Sequence, residues 1–273
     1  MRNLKVILFL FFLTIFSVQY VMSQTAKDYY NSGNLKSDLK DYLGAITDYN
    51  KAIKLKPDYA EAYHNRGIVK YKLKDYWGAI TDYDKAIELE PYHAEAYNNR
   101  GVAKSELKDY WSAITDYDKA IELKPDDAIV YIIRGDVKRE LNDYTGAIAD
   151  YDRAIELNPD YYNAYISRGL VKSELKDYWS AITDYDKAIE LKPDYAEFYN
   201  NRGNVKRKLK DYTGAIADYD KAIKLNPDYV KAYNNRGLAK SSINDYNGAC
   251  SDWYKAKELG DYDAIELINK YCQ

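Results

Sequence analysis

Three kinds of residue in this chain could do chemistry: two cysteines, two histidines, and a regular set of cations and carboxylates. Cys250 and Cys272 could be oxidised to a disulfide, or they could remain two thiols. His64 and His93 stand without a third ligand or a nucleophile beside them, so each reads as an ordinary surface residue. The cations recur. Arg66 and Lys70 have equivalents at Arg100/Lys104, Arg134/Lys138, Arg168/Lys172, Arg202/Lys206 and Arg236/Lys240, and a carboxylate follows each set, as Asp82 follows Arg66 and Asp150 follows Arg134. In an antiparallel hairpin that turns between them, Arg66 and Asp82 lie abreast, so the chemistry on offer is a structural ion pair. Losing one partner of a buried pair costs about 3–5 kcal/mol, against about 0–1 kcal/mol for an exposed one. The sequence has no glycine-rich phosphate loop, no Cys/His ligand set, and no carboxylate that occurs once and stands apart. An enzyme is not expected, and no cofactor or metal is implied.

The elements that must position these residues are repeats. Ser105 to Asp126 recurs letter for letter from Ser173 to Asp194, 68 residues on, and all six prolines (Pro57, Pro91, Pro125, Pro159, Pro193, Pro227) lie 34 residues apart. A strict 34-residue period marks a helical repeat whose units bury their apolar faces against their neighbours. Seven units follow at residues 26–59, 60–93, 94–127, 128–161, 162–195, 196–229 and 230–263. In the second, Ala62, Val69 and Leu73 share a helical stripe with Arg66. Asp75 then opens a segment in which Tyr76, Ile80, Tyr83 and Ile87 recur at helical spacing. Asp75 and its equivalents sit where an N-cap belongs, and each proline ends the second helix. Gly67 and its equivalents lie in the middle of every first helix, where glycine costs about 1 kcal/mol against alanine, so close contact with the second helix is expected there, with Ala79 as the facing small residue.

With Tyr63, Gly67, Ala79, Tyr83, Ala86 and Pro91 in place, the units resemble tetratricopeptide repeats over about nine-tenths of the chain. The resemblance implies an all-α fold, a right-handed superhelical solenoid of antiparallel helix pairs. In that family the first helices line a concave groove for a protein or peptide partner. Arg66 and Lys70 depart from the pattern, since those slots are usually apolar, and the Asn65-Arg66-Gly67 text is the variant of an exported bacterial type. The carboxylate-clamp arrangement of the family does not transfer, because Tyr30, Glu95 and Asn99 occupy the slots its cations would need.

The groove slots carry the partner-binding candidates. Asparagines suited to a peptide backbone recur at Asn65, Asn98/Asn99 and Asn200/Asn201, while the fourth unit offers Ile129, Ile132 and Ile133, with Ile166 in the next. Residues three and four apart share a helix face, so the isoleucines form either a binding patch or a thicker contact between neighbouring first helices. Trp77, Trp111 and Trp179 fill a slot that also takes Thr145 and Asn247, which implies half exposure. A contact with glycan through such Tyr- and Trp-rich surfaces, in envelope assembly or adhesion, is the alternative to peptide binding.

Residues 1–23 read as a secretory signal: Arg2 and Lys5 precede an apolar run from Val6 to Phe16, and Val21-Met22-Ser23 closes it. The expected location is therefore periplasmic or secreted, with no stable membrane span after cleavage. The formal charge of the 273 residues is -3, which argues against a nucleic-acid surface. At the other end Gly260-Asp261 replaces the proline turn, and residues 264–273 are expected to form a capping helix, with Cys250 on the face that meets it.

Overall fold

The computed structural model describes residues 24–272, so the signal expected over residues 1–23 lies outside the described residues. Within them are fifteen helices and no strand, in two compact units meeting at Leu123 and Lys124. The first unit holds three pairs: α1 (Ala26–Asp38) with α2 (Tyr42–Leu55), α3 (Ala60–Lys72) with α4 (Tyr76–Leu89), and α5 (Ala94–Glu106) with α6 (Tyr110–Leu123). The second holds α7 (Ala128–Glu140) with α8 (Tyr144–Leu157), α9 (Tyr162–Glu174) with α10 (Tyr178–Leu191), α11 (Ala196–Lys208) with α12 (Tyr212–Leu225), and α13 (Val230–Ser242) with α14 (Tyr246–Glu258). The single helix α15 (Ala264–Tyr271) closes it. No helix among the described residues is long and apolar enough to cross a membrane.

The turn inside each pair is built from backbone. Lys74 N–H donates to Tyr71 O (2.8 Å) and Asp75 N–H to Lys70 O (2.9 Å), a Schellman closure that holds Lys74 left-handed at φ 62°. The same conformation falls on Lys40, Lys108, Asn142, Lys176, Lys210 and Asn244, although lysine gains nothing locally from it. Asp75 Oδ1 then accepts from Gly78 N–H at 3.0 Å and caps the second helix, as Asp41, Asp143, Asp211 and Asp245 do in their pairs.

The two helices close on a tyrosine. A Cβ built on Gly67 would stand 2.7 Å from Tyr83 Cε1, and every first-helix glycine meets an equivalent ring. The expected glycine–alanine contact is thus corrected to glycine against the buried tyrosine of the second helix; Ala79 is fully buried nearby. In the last pair Trp253 replaces the tyrosine and covers Gly237.

The cations of the first helix converge on one buried carboxylate. Arg66 donates to Asp82 through Nε (2.8 Å) and Nη2 (2.5 Å), and Lys70 Nζ lies 2.8 Å from the same group. Arg134 and Lys138 hold Asp150 in the same way. The remaining guanidinium nitrogen reaches back one pair: Arg100 Nη1 lies 2.6 Å from Asp84 and Arg202 Nη1 2.6 Å from Asp186. Arg100 and Arg202 therefore each tie three helices together, and Arg66 Nη1 does the same with the uncharged Asn50.

At the C-terminal end, α15 packs Ala264 and Ile268 against Ala249, Trp253 and Ala256. Cys250 and Cys272 are joined by a disulfide that closes this contact, with Cα atoms 5.6 Å apart.

Candidate functional site

Within each unit the first helices of neighbouring pairs pack directly on one another, while each second helix packs against the first helices before and after it. The first helices thus form one continuous wall per unit. In the seam between them a slot recurs at Tyr30, His64, Asn98, Ile132, Ile166 and Asn200, and a second polar slot beside it crosses to the preceding helix. Asn65 Nδ2 donates to Tyr30 Oη and Asn34 Oδ1, both at 2.9 Å, Asn99 Nδ2 lies 3.0 Å from His64 Nε2, and Asn235 Nδ2 donates to Asn200 Oδ1 at 3.0 Å.

These contacts divide the candidate residues. Asn65, Asn99 and Asn201 remain half-buried on the wall, whereas Asn200 is 3% exposed and is taken up by Asn235. Asn98 Oδ1 is buried without a protein partner. The four isoleucines do not form a single patch. Ile129 is 49% exposed and Ile133 half-buried, but Ile132 packs on Ala147, Tyr151 and Val171, and Ile166 on Ala181, Tyr185 and Val205. The reason is the slot: Ile132 and Ile166 occupy the seam position of His64, which faces the pair below.

His64, expected at the surface, is buried. It is 6% exposed, with its ring 4.6 Å from that of His93 and 5.8 Å from that of Tyr83. Burial, assisted by His93, lowers its pKa to about 4, so the imidazole is neutral at pH 7. Trp77 and Trp111, expected to be half exposed, are 72% exposed at the starts of their second helices.

The wall of the second unit also holds a cavity of about 310 Å³ that no sequence motif marks. Ser173, Asn201, Asn204, Arg207, Lys208 and Asn235 line it, together with Leu170, Glu174 and Tyr185. Its signal lay in slots that carry different charges from one pair to the next.

Against known families, residues 33–74, 135–175, 173–209 and 203–244 match the TPR repeat, and residues 60–93 and 94–127 the tetratricopeptide repeat. The chain belongs to the tetratricopeptide repeat family. Its fold is that of a crystallised tetratricopeptide repeat protein from Parabacteroides merdae, at 19% identity and TM-score 0.68, covering 91% of this chain and 99% of that one. MamA is similar at 28% identity and TM-score 0.57 over 59% of this chain and 94% of its own. YrrB, described as a TPR protein with an unusual peptide-binding site, is similar at 25% identity and TM-score 0.57 over 67% of this chain and 95% of its own. No curated protein matches the chain in sequence. Tetratricopeptide repeats generally build non-catalytic scaffolds for protein–protein interaction.

Proposed function

We propose that this chain is a non-catalytic scaffold that holds a peptide segment of a partner protein against the wall of its first helices. One observation carries the reading: the slots that build the helix pairs repeat almost unchanged, while the wall slots vary. Gly67, Ala79, Tyr83 and Asp82 have near-identical equivalents throughout, yet the seam slot passes through Tyr30, His64, Asn98, Ile132 and Asn200. Nearly identical units that differ mainly where they face a groove are suited to reading a sequence. The peptide-binding site of the similar YrrB supports the same use.

The disulfide between Cys250 and Cys272 supports export to an oxidising compartment, periplasmic or extracellular. A second reading, adhesion to glycan, is favoured by the 72% exposure of Trp77 and Trp111, which leaves most of each indole open to a sugar.

Peptides selected by display against the full chain separate the two, with a glycan array as the other arm. Ile129→Asp with Ile133→Asp is expected to weaken the selected peptides roughly thirtyfold, since half-covering each isoleucine contributes about 1 kcal/mol. The melting temperature should barely move, because neither residue belongs to a buried cluster. Unchanged affinity would place the peptide elsewhere, and selective glycan capture abolished by Trp111→Ala would favour the second reading.

A further inference from the structure

The cavity on the second unit's wall has a charge imbalance that the protein does not resolve. Arg207 and Lys208 end α11 side by side, and neither forms an ion pair among the described residues. Lys208 Nζ is held only by the neutral Ser173 Oγ at 3.2 Å and lies 5.6 Å from the centre of the Tyr178 ring. Arg207 Nε is out of solvent with no hydrogen-bond partner in the protein, although the guanidinium lies beside the Tyr219 hydroxyl. A buried guanidinium donor without an acceptor is costly, and such groups are normally matched.

The chain contains its own control for this arrangement. Two pairs earlier, Arg139 occupies the slot of Arg207, and there it has acids: Glu140 Oε1 lies 3.1 Å from its Nη2, and Asp136 is close by, accepting from Tyr151 Oη at 2.8 Å. In the slots of those two acids α11 carries Asn204 and Lys208. The Tyr219 hydroxyl still donates, now to Asn204 Oδ1 at 2.8 Å. One carboxylate was thus replaced by an isosteric amide and the other by a cation, leaving the arginine in place. Around it stand the amides of Asn201 and Asn235. The single acid on the rim, Glu174, is exposed, as Lys208 is, and sits beside Tyr144 without an ion pair to either cation.

We propose that this cavity is a subsite for a side-chain carboxylate of an acidic peptide, received by Arg207 and Lys208 and oriented by the neighbouring amides. The proposal rests on the peptide-scaffold reading above and adds the charge of the ligand. A carboxylate accepts two parallel bonds from a guanidinium fork and tolerates amide donors beside it, which fits the groups present. The subsite's cations, Arg207 and Lys208, stand at the last turn of α11, away from the slots of Tyr30, Glu95 and Asn99 where the cations of the family's carboxylate clamp would sit, while Asn201 and Asn235 occupy the slot of Asn99 itself.

The test uses the full chain and three probes: a capped Glu-Asp-Glu tripeptide, its capped Gln-Asn-Gln counterpart, and inorganic phosphate. Binding is read from the Arg207 Nε–H and the Asn201 and Asn235 side-chain amide resonances. The acidic tripeptide should produce saturable shifts at these groups, at least tenfold tighter than the amide tripeptide and tighter than phosphate, and weaker as salt is raised. The double substitution Arg207→Ser, Lys208→Glu restores the text of Ser173-Glu174 in the preceding pair, so folding is not at issue. It should weaken the acidic tripeptide at least tenfold, while the corresponding change at Arg139 should not. Equal response to the acidic and amide tripeptides, tighter binding of phosphate, or no shift at Arg207 would each overturn the carboxylate subsite. If display peptides bind but the tripeptide does not, only the subsite fails. If the tripeptide binds at Arg207 and no peptide is selected, the scaffold reading fails and the subsite stands.

Discussion

Replacing Asp218 with alanine is expected to remove about 3–5 kcal/mol of folding stability. Its carboxylate is 4% exposed as a residue and accepts from Arg202 Nε at 3.0 Å and Nη2 at 2.5 Å, with Lys206 Nζ at 2.8 Å. Burial alone would lower the Arg202 pKa, and the carboxylates of Asp218 and Asp186 more than reverse this, so the guanidinium stays charged. Without Asp218, two cations whose side chains are about four-fifths buried face each other with their main counter-charge gone. Replacing all three, with Arg202→Met, Lys206→Met and Asp218→Leu, should recover most of the loss, because the penalty comes from uncompensated charge. Denaturant unfolding gives the total, and hydrogen exchange of α11 and α12 places it, since repeat arrays can open in parts. A loss below about 1 kcal/mol, the value for an exposed pair, would contradict this description.

Acid should weaken the first unit through His64 before it reaches the aspartates. The folded-state pKa of about 4 lies below the ordinary 6.5, so between those values the unfolded chain binds a proton that the folded chain does not. Stability is complete above pH 6.5, falls as pH drops toward 4, and has lost about 3 kcal/mol once the folded pKa is passed. The groups facing the imidazole are His93, Asn99, Tyr83 and, at longer range, Glu95, whose charge opposes the shift without cancelling it. Asp48, whose pKa is lowered from 3.8, titrates beneath this window. His64→Asn places in the seam the residue found there in three other pairs, Asn98, Asn200 and Asn234, and should flatten the melting temperature between pH 7 and pH 4.5. An unchanged acid slope in that variant would mean that the imidazole is solvated.

Much of the architecture is legible before any coordinates. The proline period, the aspartate caps and the placing of Arg66 abreast of Asp82 follow from helical arithmetic, because a hairpin of known turn leaves little freedom in register. Other features depend on tertiary context. Nothing marks Lys74 or Lys108 for a left-handed turn: the Schellman hydrogen bonds impose it, and only Asn142 and Asn244 carry a side chain that favours it. Gly67 signals a close approach without naming the approaching group, and Tyr83, larger than the alanine expected, reaches it from the second helix. His64 looked exposed because its slot also accepts tyrosine, asparagine and isoleucine. A seam between two helices takes any of these, polar ones by hydrogen bonding across it and apolar ones by burial. Arg207 stood out least, since its significance lies in the acids missing from positions 204 and 208.

Photo-crosslinking decides whether the ligand lies on the wall of first helices. A benzophenone amino acid placed at Asn201, half-buried on α11, and separately at Trp179, 73% exposed at the start of α10, is irradiated with a display-selected peptide bound to the full chain. Adducts from position 201 and none from position 179 are predicted. Adducts from position 179 alone would put the ligand on the second helices instead.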